Sequence, residues 1–112
     1  MNLFRLFKRR RDDPRLHGRW RVVRAEDPAL EIGRGVEMTF SPDGTLTYSI
    51  EQADRWQIIN LVYTVQGDEI VSDQPSAPAP HRTRYAFDAQ GHLILTSDGA
   101  RTWCTRAPTA PQ

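Results

Sequence analysis

The chain has one cysteine, one lysine and no long apolar run. A membrane-spanning helix needs about 20 consecutive apolar residues, so no such span is expected. Cys104 alone forms no internal disulfide, and folding has to rest on burial, as in a reducing compartment. Beside Trp103, Cys104 reads as a small core or surface residue and not as a reactive thiol. His17, His81 and His92 share no metal-ligand spacing, and neither Cys-x-x-Cys nor His-x-His occurs. Two of them could be gathered only if His17 and His81 met at one rim of the fold. Gly33-Arg34-Gly35 is too short for a phosphate loop, and Ser76 lies in no Gly-x-Ser-x-Gly elbow. No catalytic residue, metal or cofactor is therefore expected, and an enzyme is the least favoured class.

The net charge of +1 hides an uneven distribution. Residues 1–15 hold six cations (Arg5, Lys8, Arg9, Arg10, Arg11 and Arg15) against Asp12 and Asp13, so the rest is net acidic. Arginine supplies fourteen of the fifteen cations, the codon usage expected of a GC-rich bacterial genome. No interleaved aromatic and basic residues continue into the body, and nucleic acid is not an expected partner. In the leader, Leu3, Phe4, Leu6 and Phe7 precede the basic block, the reverse of a secretory signal. Residues 1–11 are instead expected to make weak contact with an anionic membrane surface. The expected location is cytoplasmic, peripheral at the inner membrane surface. Residues 1–15 are expected to be flexible, 16–106 to form one domain, and 107–112 to be a disordered tail.

Alternating polarity with turn chemistry between segments organises the body. Gly18 to Arg24 places Trp20 and Val22 on one face. Gly35 to Ser41 places Val36, Met38 and Phe40 inward. Pro42-Asp43-Gly44 turns into Thr45 to Glu51, with Leu46, Tyr48 and Ile50 inward. Trp56 to Val65 is rich in β-formers, and Glu69 to Ser72 returns after Gly67-Asp68. Gln74 to Pro80 holds three prolines and must be a loop. Arg82 to Asp88, His92 to Thr96 and Arg101 to Arg106 complete the set, with Asp98-Gly99 as a tight hairpin turn. About eight short sequential strands predict an all-β, antiparallel, up-and-down meander, closed or nearly closed into a barrel.

The opening Leu16-x-Gly18-x-Trp20 resembles the lipocalin and wider calycin signature. Phe40-Ser-Pro-Asp-Gly44 followed by Leu46-Thr-Tyr48 is similar to small bacterial lipocalin-like domains. The resemblance spans residues 16 to 106. It implies that Gly18 and Trp20 close one end of the barrel, with an arginine of the last strand over the indole. Arg106 is the first choice and Arg101 the other. It also implies a small apolar or amphipathic ligand. The strands are shorter than in secreted lipocalins, about five to seven residues each, rising ~3.3 Å per residue, which makes a shallower cup.

Met38, Phe40, Tyr48, Tyr63, Tyr85 and Phe87 are the expected ligand-binding residues. Tyr48, Tyr63 and Tyr85 would supply the polar handles, and the 25–35 and 74–81 loops the mouth. The competing expectation is a solid-core interaction module or homo-oligomer, with its contact patch among Val23, Ile58 or Ile59, and Ile94.

Overall fold

The computed structural model describes residues 12–27, 35–52, 54–76 and 78–108. The leader of residues 1–11 and most of the first expected mouth loop lie outside the described residues. One turn of 3-10 helix, Pro14–Leu16, leads into eight strands. They are β1 (Gly18–Ala25), β2 (Val36–Phe40), β3 (Thr45–Gln52), β4 (Arg55–Gln66), β5 (Glu69–Asp73), β6 (His81–Phe87), β7 (Leu93–Ser97) and β8 (Ala100–Arg106). Each strand pairs antiparallel with the next, and β8 pairs with β1, closing the barrel. The all-β meander expected from the alternation is the observed fold.

The strands form where the alternation is strictest. In β2, Val36, Met38 and Phe40 are buried, and Glu37 and Thr39 between them are more open. Ser41 to Gly44 turns the chain tightly. The Gly44 amide donates to the Ser41 carbonyl at 3.0 Å, and Asp43 Oδ1 accepts from the Thr45 amide at 3.0 Å. At Asp98-Gly99 both residues have positive φ, 52° and 80°, which suits the twist of a two-residue hairpin. A register shift between Val22 and Arg24 in the β1–β8 pairing leaves Val23 exposed on the outside. β4 is longer than its reading from sequence and settles its own phase. Tyr63 and Val65 are buried, so Ile59 shares their inward face and Ile58 points outward.

Because the chain goes up and down once per pair of strands, alternate connections share an end. The β1–β2, β3–β4, β5–β6 and β7–β8 connections leave from one end. The 3-10 turn enters at the other. Asp12 to Arg15, grouped with the leader in the sequence reading, pack across that second end. Leu16, Trp20, Phe40, Leu93 and Cys104 are the largest fully buried side chains.

Burying one indole removes roughly 200 Å² from water, worth about 5 kcal/mol before entropy is counted. The Trp20 Nε1–H donates to the Leu16 carbonyl at 2.8 Å, so this burial strands no polar atom. Arg106 lies over the same ring, its guanidinium carbon 4.1 Å from the centroid. It also donates to the carbonyls of His17 and of Arg15, the latter at 2.7 Å. An exposed cation–π contact contributes about 0.5–1 kcal/mol, so indole burial is the larger effect and Arg106 holds the lid in place.

Gly18 makes this approach possible. Its φ is +115°, and a Cβ built on it would lie 2.7 Å from Arg106 Nη1. Gly18→Ala is therefore expected to destabilise the fold by about 1–3 kcal/mol, read from the denaturant midpoint. An unchanged midpoint would contradict this packing.

Candidate functional site: the two ends of the barrel

The end entered by the 3-10 turn is sealed by polar groups that satisfy one another. Asp13 caps the turn, accepting from the Arg15 amide at 3.0 Å, with proline in the first turn. Its other oxygen takes Arg15 Nη2 and the Tyr85 hydroxyl, both at 2.7 Å. The Tyr63 hydroxyl faces the Ser41 carbonyl at 3.1 Å and Asp12 Oδ1 at 3.3 Å. Asp12 in turn meets His17 Nε2 at 2.9 Å. Beneath these groups the rings pack edge on. Phe40 and Tyr63 have centroids 5.2 Å apart, and Tyr85 and Phe87 6.0 Å apart. Arg15 covers Phe87 from outside at 4.7 Å.

Arg15 beside it, joined by the Tyr85 hydroxyl and the turn amide, holds the Asp13 carboxyl down from 3.8 to about 2. Burial, with Asp13 second, pushes the Tyr85 phenol up to about 12. Burial and the Asp12 carboxylate push Tyr63 above its ordinary range as well.

Toward the other end three strands of the inner wall become less buried, while Val36 (7 % exposed) and Ser72 (9 %) stay covered. Along β3, Leu46 is buried, whereas Tyr48 and Ile50 are only partly so. Along β4, Val65 and Tyr63 are buried, Leu61 and Ile59 are intermediate, and Gln57 is exposed. β8 repeats the trend, from Cys104 at 0 % exposure to Thr102 and Ala100, which are half-buried. The register carries one row round the wall, Trp20 to Met38 to Tyr48 to Ile59. Burial raises the Tyr48 phenol above its ordinary value, with the neighbouring Cys104 sulfur adding to it. At the rim, His81 Nε2 meets Ser97 Oγ at 2.8 Å. Asp73 Oδ1 accepts from the Gln74 and Ala79 amides at 2.8 and 2.7 Å, which folds the proline-rich loop at this rim.

The six expected ligand residues thus divide by height. Met38 and Phe40, each 2 % exposed, and Tyr63, 5 % exposed, belong to the packed core. Tyr85 and Phe87 lie beneath the sealed end, and the Tyr63 and Tyr85 hydroxyls are held by Asp13, Asp12 and Ser41. Tyr48 alone of the three tyrosines is free of that network and faces the opening half. Ile50, Ile59 and Leu61 join it there, and the sequence reading did not list them as site residues. Their signal was present, since each keeps the inward phase of its strand.

Gly18, Trp20 and Arg106 meet at the sealed end. Arg101, the other candidate for the indole, instead pairs with Glu26 at 2.8 Å and stacks on Trp103. His17 and His81 sit at opposite ends of the barrel, so the meeting at one rim does not occur. Among the described residues no cluster of metal-ligating side chains is found. A cleft of about 350 Å³ is lined by Asp12, Asp43, Val62 and Tyr63 among others.

No family model, curated protein or solved structure matches the chain.

Two outcomes follow from the geometry. Asp13 has a depressed pKa in the folded state, so its stabilisation is present above the ordinary carboxyl value. It is lost as the pH falls from about 4 toward 2. The difference in Tm between wild type and Asp13→Asn should therefore shrink as the pH falls through that window. A constant difference would contradict the Arg15–Asp13–Tyr85 network. Separately, burial pushes the Cys104 thiol up to about 12. A thiol reagent at about pH 8 should label it only after denaturation. Rapid labelling of the native protein would show that the wall is open there.

Proposed function

We propose that this chain is a non-enzymatic, lipocalin-like barrel that binds a small apolar or amphipathic molecule in the open half of its lumen. The observation that carries the reading is the gradient of accessibility along the inner wall. Along β3, β4 and β8 the inward side chains are buried beside the sealed end and more exposed toward the other, although Val36 and Ser72 at that far end stay buried. The Leu16-x-Gly18-x-Trp20 opening and the Arg106–Trp20 contact in a closed eight-stranded meander support the family part of the reading. Tyr48 is placed to offer a hydroxyl to a ligand's polar end, with Ile50, Ile59 and Leu61 around its apolar part. The same proposal places the protein in the cytoplasm, with residues 1–11 touching an anionic membrane surface. Liposomes containing anionic lipid should retain the full chain and release it at high salt, and no retention would remove that element.

Native mass spectrometry of the full chain with added dodecanoate tests the binding. The expected result is a stoichiometric adduct that disappears on denaturation. Ile59→Trp, which fills the opening, should abolish the adduct while leaving circular dichroism unchanged. No adduct with wild type, or an equal adduct with Ile59→Trp, would contradict the assignment of the site.

A second reading, an interaction module acting through its outer surface, has one observation in its favour. Trp56, Ile58 and Val62 are about half exposed on the outer face of a single strand (50, 54 and 48 %).

A further inference from the structure

Four strands place a hydroxyl on the inner wall just above the packed core. Tyr48 stands one inward step rimward of Leu46 on β3, and Ser72 one step from Ile70 on β5. Thr83 stands one step from Tyr85 on β6, and Thr102 one step from Cys104 on β8. Pairing agrees with this phase. Tyr48 is the cross-strand partner of Met38, Ser72 of Tyr63, Thr83 of Ile70 and Thr102 of Leu95. Ser72 is only 9 % exposed, yet its hydroxyl makes no hydrogen bond to the described residues. The hydroxyls of Tyr48, Thr83 and Thr102 likewise have no partner among them. Ser97 on β7 gives the contrast, because His81 takes its hydroxyl at 2.8 Å. A hydroxyl can donate one bond and accept two, and leaving all of them unmade in a covered wall is unfavourable. The other strands present apolar groups inward, Ala25 on β1, Val36 on β2, and Ile59 and Leu61 on β4. Among the described strand residues no charged side chain shares this layer. Arg55, in phase on β4, is three inward steps rimward of Leu61.

We propose that the lumen selects an uncharged amphipathic ligand, inserted polar end first, whose polar group hydrogen-bonds to the hydroxyls of Tyr48, Ser72, Thr83 and Thr102. This rests on the reading of the lumen as a binding site and adds to it the chemical class of the ligand. Neutral hydroxyls both donate and accept, so they suit a group that does the same, such as an amide or an alcohol. A carboxylate could accept from them, but its charge would enter a layer with no cation to offset it, and burying an unpaired charge is costly. The apolar part of the ligand then runs rimward along Ile50 and Ile59, which stand one inward step above Tyr48 and Leu61 on β3 and β4. A ligand inserted apolar end first would set hydrocarbon against the four hydroxyls and leave them unmade. Polarity therefore sets the direction of entry as well as the class.

The test compares dodecanamide with dodecanoate, two probes of one shape that differ in charge, by calorimetric titration of the full-length protein at about pH 8. Wild type should bind the amide about tenfold or more tighter than the carboxylate. Ser72→Ala and Tyr48→Phe each remove one hydroxyl and little else. Each should lower the amide affinity about fivefold, the worth of one hydrogen bond, and narrow the ratio between the two probes. A loss of fold would weaken both probes together and would not narrow that ratio, and if Ser72→Ala fails to fold, Tyr48→Phe still decides. Equal affinities in wild type, or a preference for dodecanoate, would overturn the proposal. So would a ratio that neither variant moves. If dodecanoate binds without any preference for the amide, this inference falls and the lumen site stands. If neither probe binds, the lumen site itself falls.

Discussion

The burial of Trp20 is the interaction on which the rest depends. A single indole fills the end of the barrel, and its one polar atom is satisfied by Leu16, four residues earlier in the chain. That bond draws the 3-10 turn across the barrel end. The turn brings Asp12 and Asp13 over the hydroxyls of Tyr63 and Tyr85, and Arg106 clamps the turn through two carbonyls. Sealing, capping and closure of β8 on β1 are therefore coupled. Trp20 and Arg106 are also cross-strand partners in that closing ladder, so the cation–π contact and the barrel seam share one location. A defect at this seam would free both edges of an eight-stranded sheet.

This coupling makes the barrel asymmetric. One end has its donors and acceptors paired internally and its rings packed edge on. The other ends in threonine, serine, histidine and partly buried aliphatic side chains, with no comparable lid among the described residues. A small barrel cannot leave much of its interior unfilled without losing stability, because fewer buried side chains then offset the chain entropy. Concentrating the large aromatics at one end keeps that core dense while the other end stays accessible. The proposed ligand would enter where the packing is least complete, and there it would add apolar contact that the protein alone lacks.

The sequence carried the meander legibly because its turns have strong chemistry. Pro42-Asp43-Gly44 and Asp98-Gly99 each demand a reversal, and Val36, Met38 and Phe40 alternate without a break. In β4, Ile58 and Ile59 are adjacent and equally apolar, so local pattern left the phase open until the buried Tyr63 and Val65 fixed it. Parity tells which residues face inward, but height along the barrel axis depends on register between strands. That is why Tyr63 and Tyr85 read as ligand handles, although the fold sets them beneath the 3-10 turn. Their carboxylate partners lie 51 and 72 residues away in sequence, a pairing only closure creates. Asp13-Pro14 is a legible helix start, but its proximity to a basic leader grouped it with the leader. The stretch of β4 that β5 does not reach was also hidden, since it arises from the difference in length between the two strands.

Hydrogen exchange of the Trp20 indole N–H, followed by NMR, isolates the bond that organises the sealed end. If Trp20 holds the turn and the turn seals the barrel, this proton exchanges only through global unfolding. Its protection should then match that of the slowest strand amides, and Arg106→Ala should lower both together. An indole proton that exchanges quickly while the amides of β2 and β7 stay protected would mean that the end opens on its own. The asymmetry of the barrel, and the single mouth derived from it, would then be wrong.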